Sequence, residues 1–103
     1  MRTAISRNGV PIRLNDERWA HILERHSELA ALQDQVVQTI LDPDVIYEGA
    51  SGDLIAQRAS DGLYLLVAHK EISLTDGFVI TDHLVTRPAR KRVLWTRQAS
   101  TST

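Results

Sequence analysis

The sequence predicts an α+β domain: two N-terminal helices packed on one face of an antiparallel sheet of about four strands. Three observations carry this. Between residues 16 and 41 apolar side chains recur at helical spacing. After Pro43 the chain breaks into short β-type runs separated by glycine-containing turns. Helices first and strands afterwards is the order in which helices gather on one side of a sheet.

Each element has its own signal. Asn8-Gly9 is a tight-turn dipeptide flanked by Ile5, Val10, Ile12 and Leu14, so residues 3–14 are expected to form a small hairpin. Pro11 should confine its second arm to an edge. The first helix is expected over 16–29: Asn15 is a good N-cap, and Asp16 and Glu17 suit a helix start. The second is expected over 32–41, from Leu32, Val36, Val37, Ile40 and Leu41, and Asp42-Pro43 stops it. Strands are expected at 45–48, 53–59, 63–70, 78–87 and 93–96, joined as hairpins. The run Leu63-Tyr64-Leu65-Leu66-Val67-Ala68 is continuously apolar and is expected at the sheet centre.

The 103 residues allow one core, so residues 1–97 read as a single domain followed by a polar, disordered tail at 98–103. Apolar residues make up 43 % of the chain, ordinary for a globular domain, and no apolar run is long enough to span a membrane. The first residues lack the apolar segment of a secretory signal, and there is no cysteine. A cytoplasmic protein without disulfides or thiolate metal sites is the expectation. The net charge of −1 hides an asymmetry: all 13 acidic residues precede position 87, whereas Arg87, Arg90, Lys91, Arg92 and Arg97 follow without an acid among them. Such a segment reads either as a phosphate-facing, RNA-binding surface or as a solvated tail.

Histidines are the notable chemical groups. On a helical wheel with Trp19 at 0°, His26 falls near about 340°, within the apolar arc, and His21 near about 200°, on the polar side. His26 is therefore expected to point inward, either as a satisfied boundary residue or at a cleft. In the strand at 78–87, alternation places Thr81, His83 and Arg87 on one face with Val79 and Val85, and Phe78, Ile80 and Leu84 on the other. His21 and His26 lie about 140° apart around a helix and H-E-x-x-H is absent, so no metal site is expected from His21, His26, His69 and His83. No phosphate-binding glycine loop and no cofactor motif is present. Imidazoles, fixed cations and a hydroxyl are an inventory suited to metal-free RNA cleavage, in which the 2′-OH attacks the adjacent phosphorus.

The order of motifs resembles that of small phage- and mobile-element-associated proteins of the barnase–EndoU–colicin–RelE-like nuclease group. It comprises Trp19, His21, Ile22, Arg25 and His26, then Asp42-Pro43-Asp44, Lys70, Asp76-Gly77-Phe78-Val79-Ile80-Thr81 and Thr86-Arg87, over about residues 12–90. The resemblance implies helices on an antiparallel sheet of about four strands and a metal-independent, toxin-like ribonuclease. Its substrate would be RNA such as tRNA or mRNA, and an antitoxin or immunity protein would neutralise it. By that resemblance His26 is the candidate general base or acid, His21 acts from a cleft rim or binds, Arg25 clamps phosphate, Lys70 stabilises the transition state, and Thr81 holds a phosphate oxygen. Two positions depart from the pattern. Ser27 stands where proline is expected, and His83, either a second proton-transfer group or a local substitution without a role, stands where an aromatic or other residue is expected. The alternative is a non-catalytic protein- or nucleic-acid-binding module on the same scaffold.

Overall fold

The computed structural model describes residues 1–97, which build one seven-stranded sheet with two α-helices on one face. The strands are β1 (Arg2–Ile5), β2 (Pro11–Leu14), β3 (Val45–Glu48), β4 (Leu54–Ser60), β5 (Leu63–Ser73), β6 (Asp76–Val85) and β7 (Val93–Thr96). The helices are α1 (Asp16–Arg25) and α2 (Gln33–Leu41), with a short 3₁₀ turn at Ser27–Leu29 between them. The sheet order is β1-β2-β6-β5-β4-β3-β7, antiparallel throughout except that β2 runs parallel to β6. The expected four-stranded antiparallel sheet is thereby corrected to a mixed sheet of seven strands, and a strand pair precedes the helices. The tail predicted for 98–103 lies outside the described residues.

The correction originates at both ends of the chain. The N-terminal hairpin closes as its sequence demands: Gly9 takes φ 82° and its N–H donates to Ser6 O at 2.9 Å. It does not stand apart, however, because β2 joins the sheet through Ile12 and Arg13, opposite Gly77 and Phe78. Gly77 makes that approach possible: a Cβ there would lie 2.6 Å from both Ile12 Cδ1 and the Lys70 carbonyl oxygen. Pro11 does not hold β2 at an edge as expected. It occupies the first strand position, and pairing to β6 begins one residue beyond its missing N–H. At the other end, residues 86–92 carry the chain past β5, β4 and β3 so that β7 pairs with β3.

The long apolar run does become the central strand, β5, fourth of seven. Leu65 and Val67 of β5 pack with Val79 of β6, Ile12 and Leu14 of β2, Ile22 of α1, and Val36 and Ile40 of α2. α2 rests on β1, β4 and β5, and α1 on β6. Burying such aliphatic side chains is worth about 1.5–3 kcal/mol each, enough to seat both helices on this face.

Helix α1 begins as predicted, with the Asn15 side-chain oxygen accepting from the Arg18 N–H at 2.7 Å. It ends four residues early. His26 adopts φ −134° and ψ 65°, donates its N–H to Ile22 O at 2.9 Å, and caps the helix. The turn that follows delivers Leu29 to the core, where it is fully buried. The expected wheel position of His26 therefore does not apply: the residue lies at the helix end, half-buried, rather than on the apolar stripe.

Candidate functional site

The ladder registers define two sheet faces. Antiparallel partners point the same way. The helix-covered face carries Ala56, Leu65, Val67, His69, Val79, Asp82 and Leu84; the open face carries Gln57, Leu66, Ala68, Lys70, Phe78, Thr81, His83 and Val85. A β-bulge between Thr81 and Val79, opposite Ala68 and His69, takes Ile80 out of phase. Val79 therefore enters the core instead of sharing a face with Thr81 and His83, correcting the strict alternation expected from sequence.

The bulged strand and the end of α1 bring His83 and His26 together. Their ring centroids are 4.8 Å apart with an 84° interplanar angle, an edge-to-face contact. β2 pairs with β6 only at Gly77 and Phe78, so the His83 end of β6 projects beyond that pairing and is approached by α1. Partial burial, then the neighbouring His26, push the His83 pKa below its ordinary value of 6.5, while Glu28 opposes them. Glu28 Oε2 lies 3.5 Å from His26 Nδ1 and can orient that ring. Thr81 follows two residues along the same face, about 7 Å at the strand rise. Arg25 is exposed beside His26 and makes no ion pair among the described residues.

The other predicted residues are placed elsewhere. His21 is on the outer face of α1, 3.8 Å from Glu24, and lines a shallow cleft with Asn15, Glu17 and Arg18. Lys70 is exposed on the open face opposite Phe78, and four residues from Leu66, the partner of His83; that is about 13 Å along the strand. His69 is buried against the core. Its Nδ1–H donates to Val67 O at 3.2 Å, and burial lowers its pKa despite Glu71 and Asp53 nearby. No group of three metal-ligating side chains forms among the described residues.

The basic segment divides. Arg97 donates to Asp42 Oδ1 at 2.5 Å and to Asp44 Oδ1 at 3.3 Å, while Arg58 bonds Asp42 Oδ2 at 3.1 Å. These contacts hold the Asp42 carboxyl below its usual range and clamp β7 to the α2–β3 corner. Asp42-Pro43-Asp44, a motif element, is thus occupied structurally. Arg92 lies 3.6 Å from Glu48. Arg87, Arg90 and Lys91 are exposed and form no ion pair among the described residues.

Two groups escaped sequence reasoning. Asp82 is fully buried and neither carboxylate oxygen has a hydrogen-bond partner among the described residues; desolvation raises its pKa to about 7. Its position between Ile80 and Leu84, on the even-numbered apolar side of the strand, was the available signal. Gln57 is buried and accepts a hydrogen bond from the Ala89 N–H at 2.9 Å. Nothing in its local sequence marks it.

The chain matches no protein-family model, no curated protein and no solved structure. No helix among the described residues is long and apolar enough to cross a membrane.

Proposed function

We propose that this chain is a toxin-like endoribonuclease that cleaves RNA by attack of the 2′-OH on the adjacent phosphorus. The observation that carries the reading is the His26–His83 pair, two imidazoles in contact at an accessible sheet edge. His83, its pKa held low by partial burial and by His26, is neutral near pH 7 and takes the 2′-OH proton. The bond from O2′ to phosphorus forms and that from phosphorus to O5′ breaks. His26 supplies the proton to the leaving 5′-oxygen. Arg25 stabilises the phosphorane charge, and the Thr81 hydroxyl donates to a phosphate oxygen. The products are a 2′,3′-cyclic phosphate and a 5′-hydroxyl.

The resemblance of the motif order to that of the barnase–EndoU–colicin–RelE-like group supports the same chemistry, as does the cationic segment on the His83 side of the sheet. An inhibitory protein partner belongs to this reading. The test is incubation with total RNA and with tRNA in EDTA, wild type beside His26→Ala and His83→Ala. Cleavage by wild type alone, leaving cyclic phosphate ends, is expected. Equal cleavage by all three, or none by wild type, overturns the proposal and favours a non-catalytic binding module.

A further inference from the structure

We infer that the connection between β6 and β7 is a preformed cationic strap that binds a single-stranded polyanion, and that buried Gln57 positions it. The inference rests on the ribonuclease reading for its ligand class, a phosphodiester strand, and assigns that strand a path.

The path follows from register. Thr96, Val45, Gln57, Leu66 and His83 are successive ladder partners, so they form one row across β7, β3, β4, β5 and β6. All five point to the open face. The strap leaves β6 after Val85 and must reach β7 beyond β3, and its Ala89 N–H donates to the side chain of Gln57 in that row. The strap therefore crosses the open face two strands from His83, about 10 Å at the usual interstrand spacing. Tyr47, an open-face residue of the neighbouring strand β3, is buried although no helix among the described residues packs on this side.

What the strap offers at Arg87, Arg90 and Lys91 is positive charge without an ion-pair partner among the described residues. Arg92 at its far end is matched by Glu48, and Arg97, beyond β7, by Asp42 and Asp44. Arg87, Arg90 and Lys91 flank the pinned Ala89 and are left for a ligand. Pro88 fixes one backbone torsion beside the pin, further restricting the strap. A buried amide acceptor given to a loop N–H is a specific device: Arg92 O, which accepts from the Glu48 N–H at 2.9 Å, holds the far end of the strap, and without Gln57 its middle would lose this anchor and its three cations would spread over more conformations. A strand running from the strap to the His26–His83 edge places phosphates on Arg87, Arg90 and Lys91 and one phosphodiester at the imidazoles.

The test uses the full chain and a fluorescent 2′-O-methyl oligouridine, which cannot be cleaved because its attacking hydroxyl is blocked. Three neutralised phosphates predict a log–log salt slope of about −2, hence about a twentyfold loss of affinity between roughly 50 and 200 mM salt. The combined Arg87→Ala, Arg90→Ala, Lys91→Ala variant should bind weakly and almost independently of salt. Gln57→Leu should weaken binding several-fold while keeping the wild-type slope, since the cations remain but are no longer arrayed. A salt-independent wild type, or a triple variant that binds like wild type, overturns the inference. The surface variant decides the matter even where Gln57→Leu impairs folding. Binding without cleavage of ordinary RNA would sink the ribonuclease reading alone; cleavage with strap-independent binding would sink this inference alone.

Discussion

On the helix-covered face of β6, Asp82 is sealed into the core with no partner for either oxygen among the described residues; on the open face, its neighbour His83 stands exposed against His26. One residue of strand separates a group whose ionisation harms the fold from one whose ionisation is free to serve chemistry. Burial makes the difference. In the core loss of water raises the pKa of the Asp82 carboxyl, whereas at the edge His83 is tuned by partial burial, by His26 and by Glu28. Polar groups on the two sides of a strand should accordingly respond to mutation in opposite currencies, stability for one and activity for the other.

The largest effects are expected at the histidines. His26→Ala and His83→Ala should each lower RNA cleavage by about 10²–10⁴-fold, the usual worth of a positioned acid or base, with melting temperatures little changed. A fall in stability without a fall in rate would make these residues structural.

Asp82→Asn should act in the reverse sense. The folded carboxyl titrates near 7 against an ordinary 3.8, so between those values the folded state holds a proton that the unfolded state has lost. The associated stability is full below about pH 3.8, declines as pH rises, and is gone above about pH 7. The difference corresponds to about 4 kcal/mol as an order of magnitude. Urea denaturation of Asp82→Asn should lack this decline, leaving the variant relatively more stable at pH 8 than at pH 4. Parallel pH profiles for the two proteins would show that Asp82 has a partner in solution.

A smaller effect concerns the acidic limb of kcat/KM. Deprotonated His83 is the active base, and its lowered pKa places that limb below 6.5, the ordinary histidine value. Glu28 raises the His83 pKa, so Glu28→Gln should move the limb further toward acid. A limb unmoved by Glu28→Gln would assign the titration to another group. The smallest effect is expected at the β7 clamp. Arg97→Ala removes exposed ion pairs to Asp42 and Asp44, and should cost a little stability at low salt and almost none at high salt. A large loss that persists in salt would make the clamp part of the folding core.

Much of the local structure was legible. The Asn15 cap, the Asn8-Gly9 turn, the proline stop after Asp42 and the apolar centre of β5 each depend on neighbouring residues, and each occurs where the sequence placed it. Of the candidate site, both histidines that meet were picked out, but for partly mistaken reasons. Helical spacing puts His26 on the apolar stripe, whereas it is the cap; alternation puts His83 on one face with Val79, which the bulge sends to the other. His21 and Lys70 carry the right chemistry but lie on other surfaces.

Composition, periodicity and turn chemistry by themselves determined the kinds of elements and the stock of imidazoles and cations, because these depend on side chains a few positions apart. Only in the folded chain does Gly77 admit β2 alongside β6, does His26 face His83, are Arg92 and Arg97 matched by acids while Arg87, Arg90 and Lys91 are not among the described residues, and does Gln57 accept from the strap. Each of these joins residues far apart in the chain. Such pairings are selected by how whole surfaces fit when the sheet assembles, and no local pattern of spacing encodes them.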